Sequence, residues 1–310
     1  MKAIICTRYG APEVLQNKEL PKPVPKAGEV LIKTIATSAH IGDTRIRRAD
    51  PFLVRLVFGL FKPRKNLILG IEMSGIVEAV GSQVDVDDFK VGDEVCGLNG
   101  FGLGAYAEYC CVPARPKAGK SERQGLITRK PQNLSFGEAA TLPSGALTAL
   151  KNLQKAKLSP GQSILINGAS GSLGTYAIQL AKYFGARITA VCSGKNEALV
   201  RSLGAEKVID YTKEDFTQAE EQYDVIYDAV MKSSARACRA ILKPEGIFVR
   251  NTRLPSIEPP DLDLLVDLVE AGTIKPVIDR SYAWSEVVEA HRYVDQGHKK
   301  GNVIMEVQAP

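Results

Sequence analysis

Histidine and tryptophan are scarce in this chain of 310 residues, which contains three histidines and one tryptophan. The six cysteines include no Cys-x-x-Cys pair, and the adjacent Cys110 and Cys111 would point to opposite faces of a strand. A cysteine pattern of this kind does not indicate a disulfide framework. We therefore expect buried, reduced thiols.

Long apolar runs, repeats and low-complexity tracts are also absent. No apolar stretch approaches the roughly 18 to 20 residues that a membrane-spanning helix needs. Residues 1–6 enter a strand-like run without the charged, apolar and cleavage regions of a secretory signal. We therefore expect a cytoplasmic protein without a membrane span. Because domains usually hold fewer than about 250 residues, two domains are expected.

Positive charge is modest, at a formal net +5, and is concentrated in residues 45–65 and 115–130. The second segment is rich in Gly, Pro and Lys without apolar periodicity, which predicts a long exposed loop. It has no interleaved aromatic residues on which bases could stack. We expect no nucleic-acid partner.

The two parts of the chain differ in pattern. Residues 1–110 alternate short β-branched runs with glycine-containing turns, which predicts an antiparallel barrel or sandwich. In the second part, a helical stretch over residues 135–156 is followed by strands alternating with helices, which predicts a doubly wound parallel sheet. The tail returns to strand, amphipathic helix and strand. The predicted fold class is therefore α/β, with two different architectures.

The most specific motif joins a predicted strand, SILIN, to a predicted helix that ends near Gly185. The joining glycines have the spacing G-x-x-G-x-x-G, a variant of the dinucleotide fingerprint. The first glycine allows a tight turn, the second a close approach of backbone to pyrophosphate, and the third close packing of helix on strand. The predicted loop consists of Gly168, Ala169, Ser170, Gly171, Ser172, Leu173 and Gly174.

The end of the next strand, RITAVC, indicates which cofactor is bound. An NAD-dependent enzyme places Asp or Glu there for the ribose hydroxyls, whereas this chain continues with Ser193, Gly194 and Lys195 and has no carboxylate before Glu197. A hydroxyl and an ammonium group suit a 2′-phosphate, so NADP(H) is favoured. The alternative for Lys195 is an exposed lysine at the start of a helix.

Taken together, these motifs resemble the zinc-independent quinone oxidoreductases, zeta-crystallin-like enzymes included, of the medium-chain dehydrogenase/reductase superfamily. The resemblance covers nearly the whole chain and includes MKAIICTRYGAPEVLQ, ILGIEMSGIVEAVGSQVDVDDFKVGDEVCGL, NGASGSLGTYAIQLAKYFGARITAVCS and YDVIYDAV. It implies a GroES-like catalytic domain over residues 1–134, completed by 275–310, and a Rossmann domain over 135–274. NADPH would lie in the cleft between them.

The resemblance also assigns roles to residues. Ser193, Lys195 and Tyr211 would hold the 2′-phosphate, and Thr148 would lie near the nicotinamide. Zinc-dependent relatives place Cys at the position of His40, a His-Glu pair at 71–72 and a third ligand near 142–145. Here His40 and Glu72 cannot complete the three protein ligands of a catalytic zinc, so no metal is expected.

Three departures from the family pattern stand out. Many relatives have Asn or a small hydroxyl residue where this chain has His40. The segment after Arg250 is far shorter than usual and rich in proline, which puts dimerisation in doubt and leaves monomer and dimer open. Residues 115–125 form a longer loop than expected.

Without a metal, oxidation of unactivated alcohols is disfavoured because nothing stabilises the alkoxide. Hydride transfer to a quinone or an α,β-unsaturated carbonyl compound needs less stabilisation from the protein, since conjugation stabilises the product anion. The candidate proton donors are His40, Tyr106, Tyr109 and solvent, although either tyrosine could simply pack in its strand.

Structural or solvent-exposed roles, without catalysis, are expected for several other polar residues. Asp43 and Arg45 are expected to form a structural pair, and His291 and His298 to be exposed to solvent on the last helix and its exit.

A second hypothesis is a non-catalytic NADPH-binding protein with a membrane-surface or regulatory role. It is suggested by the altered segment 250–260 and by the basic, aromatic stretch RIRRADPFLVRLVFGLFKPRK at 45–65. The competing interpretation of that stretch is a lid helix over the substrate pocket with solvated basic ends.

Overall fold

A computed structural model of the chain describes residues 1–251 and 256–310. The chain forms two compact units. The terminal unit comprises Met1–Ser144, Ser256–Val266 and Ile278–Pro310, and the central unit comprises Gly145–Pro255 and Asp267–Val277.

The chain contains fifteen strands among the described residues. They are β1 Lys2–Cys6, β2 Leu15–Glu19, β3 Glu29–Ser38, β4 Leu67–Ile68, β5 Glu72–Val80, β6 Glu94–Leu98, β7 Tyr109–Pro113, β8 Leu126–Arg129, β9 Ser163–Asn167, β10 Arg187–Cys192, β11 Lys207–Asp210, β12 Tyr223–Asp228, β13 Leu242–Arg250, β14 Ile278–Ala283 and β15 Asn302–Glu306.

Ten α-helices accompany these strands in the described part of the chain. They are α1 Ile41–Arg48, α2 Val54–Phe58, α3 Ser121–Gln124, α4 Phe136–Ala140, α5 Leu142–Lys155, α6 Ser172–Tyr183, α7 Glu197–Leu203, α8 Ala235–Ala240, α9 Pro259–Glu270 and α10 Val287–Asp295. In ranges 1–251 and 256–310, every helix is too short or too polar to cross a lipid bilayer.

The terminal unit is built from two sheets that are mostly antiparallel. A seven-stranded sheet has the order β14-β15-β3-β5-β6-β8, with β7 paired to β3, and a three-stranded sheet has the order β2-β1-β4. Strand β15 comes from the end of the chain and pairs with β3, opposite Ser38. The C-terminal segment therefore reaches the residues that immediately precede His40.

The central unit is a five-stranded parallel sheet with the order β11-β10-β9-β12-β13. This order places the first strand of the unit at the centre, as in a Rossmann fold. All five residues of β9 are buried, as expected for a strand covered on both faces. The α/β fold class and the parallel sheet are confirmed, and β9 and β10 begin and end at the predicted residues.

Two predicted elements differ from the structure. The predicted helix over 135–156 divides into α4 and α5 at Thr141. The prediction of an exposed loop over 115–130 is wrong in its second half, because β8 pairs with β6 and Leu126 is buried. That strand is only four residues long, too short for its periodicity to show in the sequence.

All six cysteines are free thiols, and only Cys111 is partly exposed. The expected reduced state therefore agrees with the structure.

Candidate functional site

The glycine loop of the central unit joins β9 to α6 and has the backbone geometry its glycines require. Gly168 has a φ of +80°, in the left-handed region that favours glycine. A Cβ at Gly174 would lie 2.2 Å from the Gly168 carbonyl oxygen, so the helix approaches the loop too closely for any side chain there. Gly171 is the N-cap of α6. The first-turn amides of that helix therefore face the loop, as in an anion-binding helix N-terminus.

Ser193, Lys195 and Tyr211 follow the carboxyl ends of two adjacent parallel strands. Cys192, the last residue of β10, pairs with Asp210, the last residue of β11. The residues that come next are therefore neighbours at one edge of the sheet. The side chains of Lys195 and Tyr211 are exposed and Ser193 is half-buried, so this edge presents a hydroxyl, an ammonium group and a phenol.

Asn196, which no sequence motif indicated, fixes the geometry of this edge. Its buried side-chain amide donates to the Ser170 hydroxyl over 2.9 Å and to the Ser193 hydroxyl over 3.3 Å. Among the described residues, its Oδ1 atom is buried without a hydrogen-bond partner. Asn196 thus ties the glycine loop to Ser193 and leaves one polar atom available. Its place next to Lys195 was the only signal in the sequence.

Asp210 is a second residue that the sequence analysis missed. Its carboxylate accepts hydrogen bonds from the backbone and the hydroxyl of Thr212, and these bonds lower its pKa. A Cβ at Gly194 would lie 2.5 Å from this carboxylate, so Gly194 is in close contact with it. Lys213 lies 3.8 Å away and offsets part of the charge. Asp210 therefore shapes the turn after β10 although it belongs to the neighbouring strand β11.

Thr148 lies on α5 and is half-buried. Its carbonyl accepts a hydrogen bond of 2.8 Å from the side chain of Asn152, which also donates to Asn251 over 2.8 Å. This amide pair links α5 to the end of β13. The segment 250–260, which departs from the family pattern, includes residues 252–255, and these four lie outside the described residues.

In the terminal unit, His40 is the N-cap of α1. Its Nδ1 atom accepts a hydrogen bond of 3.0 Å from the Gly42 amide. Its Nε2 atom lies 3.3 Å from the Ser144 hydroxyl. Because Nδ1 accepts from a backbone amide, the neutral ring carries its proton on Nε2. Burial, reinforced by the positive charges of Lys299 and Arg45, lowers the pKa of His40 to about 3. The imidazole is therefore neutral at physiological pH.

Glu72 lies beside His40 in a buried position. One carboxylate oxygen accepts from the Ser38 hydroxyl over 2.5 Å and the other from the Ser144 amide over 2.8 Å. Burial raises the pKa of Glu72 to about 7, in spite of these two hydrogen bonds and the positive charge of Lys299. Both oxygens are thus committed to the protein.

Lys299 supplies a positive charge to this cluster from the segment before β15. Its Nζ atom donates to the Gly301 carbonyl, and its charge acts on the pKa of both His40 and Glu72. Burial lowers the pKa of Lys299 to about 8, against the opposite influence of Glu72 and Asp279. No sequence pattern placed Lys299 here, because the loop that carries it is distant from His40 along the chain.

Tyr106 is fully buried and its hydroxyl is engaged. It donates to the Ser38 carbonyl over 3.2 Å and lies 2.9 Å from Nε2 of His291. The prediction that His291 is exposed is wrong: the side chain is fully buried, and its Nδ1 atom accepts from Arg47 over 3.2 Å. Burial lowers the pKa of His291 to about 3. His298 is exposed, as predicted.

Asp43 has a different partner from the one expected. It is buried and accepts a hydrogen bond of 2.8 Å from the Gly70 amide. Within residues 1–251 and 256–310 it forms no ion pair with Arg45, so the predicted structural pair is wrong. The bond from Gly70 makes Asp43 an anchor for the turn before β5. Burial raises the pKa of Asp43 to about 8.

Across the described part of the chain, no group of three or more His, Cys, Asp or Glu side chains is placed to hold a metal ion.

The parallel sheet and the glycine loop define a class of protein, the dinucleotide-binding proteins with a Rossmann-type unit. Family models extend this assignment. Residues 26–119 match the alcohol dehydrogenase GroES-like domain. Residues 172–257 and 248–305 match two models described as zinc-binding dehydrogenase. These last two ranges contain neither His40 nor Glu72.

Curated relatives match over nearly the full chain. The 2-methylene-furan-3-one reductase of Solanum lycopersicum is 34% identical over 98% of this chain and 79% of its own length. The NADPH-dependent alkenal/one oxidoreductase of Arabidopsis thaliana is 32% identical over the same shares. Among solved structures, the quinone oxidoreductase from Coxiella burnetii has a TM-score of 0.85 and 29% identity, with 99% of each chain covered.

The chain belongs to the medium-chain dehydrogenase/reductase superfamily, among proteins similar to quinone and alkenal oxidoreductases. The expected family membership and GroES-like architecture are therefore confirmed.

Proposed function

We propose that this protein is an enzyme that uses NADPH to reduce quinones or α,β-unsaturated carbonyl compounds without zinc. The observation that carries the proposal is the edge of the central sheet, where a dinucleotide loop meets a hydroxyl and an ammonium group at the end of β10. The names of the relatives support the substrate class, since they cover furanone, alkenal and quinone reduction.

The residues present fit NADP(H). The pyrophosphate would be held by the loop and by the first turn of α6, that is by Gly168, Ala169, Ser170, Gly171, Ser172, Leu173 and Gly174. Ser193, Lys195 and Tyr211 would hold the 2′-phosphate, and Thr148 would lie near the nicotinamide. The orphaned Oδ1 atom of Asn196 supports the assignment, because a buried polar atom without a partner marks a position for a ligand group.

The residues around His40 do not fit zinc. Both oxygens of Glu72 and both ring nitrogens of His40 already have hydrogen-bond partners. Ser144 stands in the segment where a third ligand would be needed, and a hydroxyl is a weak ligand for zinc. The positive charge of Lys299 would also oppose a divalent cation. At this position the positive charge of Lys299 therefore takes the place of a metal ion.

NADPH, when bound, would supply a hydride (two electrons with one proton) to the conjugated acceptor, and a further proton would complete the reduced product. The anion formed in between is an enolate or a hydroquinone anion. The chain must hold the acceptor, stabilise this negative charge and provide the proton.

Lys299 fits these last two needs best among the described residues. Its ammonium group can stabilise an oxyanion electrostatically and carries a proton at Nζ. His40 is less suited because its Nε2 proton faces Ser144 and its Nδ1 caps a helix. Tyr106 is less suited because its buried hydroxyl already serves Ser38 and His291. We assign His40 to shaping the pocket and Tyr106 to positioning.

The test of this function is oxidation of NADPH with a panel of quinones and enones. We expect turnover of at least one acceptor class, a preference for NADPH over NADH, and unchanged activity after dialysis against a metal chelator. Tight NADPH binding without turnover of any acceptor would instead support the non-catalytic binding protein. Loss of activity on chelation that zinc restores would refute the metal-free mechanism.

Replacing Lys299 by methionine should lower kcat by about 100- to 1,000-fold, because removing one donor that stabilises an oxyanion typically costs this much. The pH dependence gives a second readout. Lys299 is protonated below its pKa of about 8, so wild-type activity should fall as the pH rises through about 8. The methionine variant should lack this alkaline limb. Lys299→Arg keeps its positive charge at every pH. Above pH 8 this variant should therefore keep a larger fraction of its own maximal activity than wild type keeps of its maximal activity.

His40→Ala is the matched comparison in the same cluster. It removes a helix cap and a contact with Ser144 but no charge, so activity should fall less than about tenfold. A loss of about a hundredfold or more, with Lys299→Met nearly normal, would show that His40 is the acid.

The cytoplasmic location, the absence of a nucleic-acid partner and the choice between monomer and dimer stay predictions. They are independent of the chemistry proposed here.

A further inference from the structure

Six large apolar side chains are exposed together on one segment of the terminal unit. They are Phe52 (64% exposed), Leu53 (67%), Leu56 (67%), Val57 (59%), Leu60 (46%) and Phe61 (89%), here called the apolar patch. We propose that the apolar patch docks this protein on the surface of an anionic lipid bilayer. This proposal does not depend on the proposed reductase activity.

The apolar patch is held on a fixed base. On α2, Val54 and Phe58 face inward and pack against the core of the terminal unit. The Tyr9 hydroxyl donates to the Gly59 carbonyl over 2.7 Å, and the Arg64 amide donates to the Phe58 carbonyl over 2.8 Å. These anchors leave Leu56, Val57 and their neighbours facing outward. The exposure is therefore built into the fold of the segment, although burying these side chains would be favourable.

The charge around the apolar patch has one sign. Residues 51–66 contain Arg55, Lys62, Arg64 and Lys65 and no acidic residue. Among the ion pairs of the described residues, none involves these four side chains, whereas many other lysines and arginines of the chain are paired. Lys62, Arg64 and Lys65 are exposed next to Phe61. The segment thus presents apolar side chains with unneutralised positive charge beside them.

This combination matches an anionic bilayer better than another protein surface. Apolar side chains can enter the boundary between headgroups and acyl chains while long basic side chains reach the phosphates. A second copy docking through the same patch would bring four positive charges against four others. The basic side chains would be unpaired in such a dimer, so self-association through this surface is disfavoured.

The test is co-sedimentation of the full chain with vesicles, using phosphatidylcholine alone and phosphatidylcholine with about 30% phosphatidylglycerol. We expect binding to the mixed vesicles, little binding to the neutral ones, and loss of binding at about 0.5 M salt, where surface charges are screened. The double variant Leu56→Ser/Phe61→Ser should bind the mixed vesicles at least about tenfold more weakly.

The matched control is Val24→Ser/Val86→Ser, which makes two apolar-to-serine changes at positions 83% and 66% exposed elsewhere on the terminal unit. It should bind like wild type. The proposal is overturned if the patch variant binds vesicles normally, or if wild type binds neutral and anionic vesicles equally.

Two further measurements separate the other occupants of this surface. A patch-dependent dimer without lipid in sedimentation velocity would assign the surface to a second copy and overturn the proposal. The proposal is also overturned if the patch variant loses NADPH oxidation with a water-soluble acceptor while its vesicle binding is unchanged. That pattern would define the segment as a lid over the substrate. Failure of the reductase assay in every variant, wild type included, would leave the vesicle result unaffected.

Discussion

Ser193→Asp should lower kcat/KM for NADPH by at least about 100-fold and change that for NADH by less than about threefold, since one lost charge-assisted bond and the new repulsion together cost about 3 kcal/mol. Ser193 stands at the end of β10, beside the turn that carries Lys195 and Asn196. A carboxylate there would repel a 2′-phosphate and accept hydrogen bonds from the ribose hydroxyls of NADH. Initial rates with each cofactor provide the measurement.

A suitable control is Ser202→Asp, which makes the same change on the exposed face of α7 in the same unit. It should leave both values close to those of wild type. An equal loss with NADPH and NADH in Ser193→Asp would mean that Ser193 supports the loop and does not read the phosphate.

Arg47→Met should lower the free energy of unfolding of the terminal unit by about 3 to 5 kcal/mol, the usual cost of breaking a buried ion pair on one side. Arg47 is fully buried and donates to His291, to the Gly10 carbonyl and to Asp295. Methionine keeps much of the apolar volume, so the loss reports on the hydrogen bonds. Trp284, the only tryptophan of the chain, lies in the same unit, and its fluorescence follows the unfolding of that unit in urea.

The neighbouring Arg48→Met provides the comparison. Arg48 is about one-third exposed and contacts Asp295 and Asp50 over 3.4 and 3.7 Å. Exposed pairs of this kind contribute at most about 1 kcal/mol. If both variants lose the same stability, the buried network around Arg47 is not the main support of this region.

The motifs that could be predicted from sequence share one property: each depends on residues that are close together along the chain. The strand bounds of β9 and β10 follow from short apolar runs closed by turns. The glycine loop follows from three glycines whose spacing is fixed by one turn of backbone. The short strand β8 escaped prediction because four residues carry too little periodicity.

The burial of His291 could not be predicted in the same way. The amphipathic pattern of α10 shows that one face is buried, but whether a histidine is tolerated there depends on its partners. Those partners are Tyr106 and Arg47, which are 185 and 244 residues away in the chain. A buried imidazole is stable only when both nitrogens are bonded, so the decision belongs to the tertiary structure.

By itself, the sequence determined the alternation of strands and helices in the central unit, the dinucleotide loop and the incomplete set of zinc ligands at His40, because each depends on neighbouring residues or on residue type. Only the tertiary structure decided that the charge of Lys299 acts on His40 and Glu72, that Asn196 ties Ser193 to the loop, and that the apolar patch faces outward. The physical reason is that burial and electrostatic interaction act through space. They join residues whose separation along the chain carries no signal of their contact.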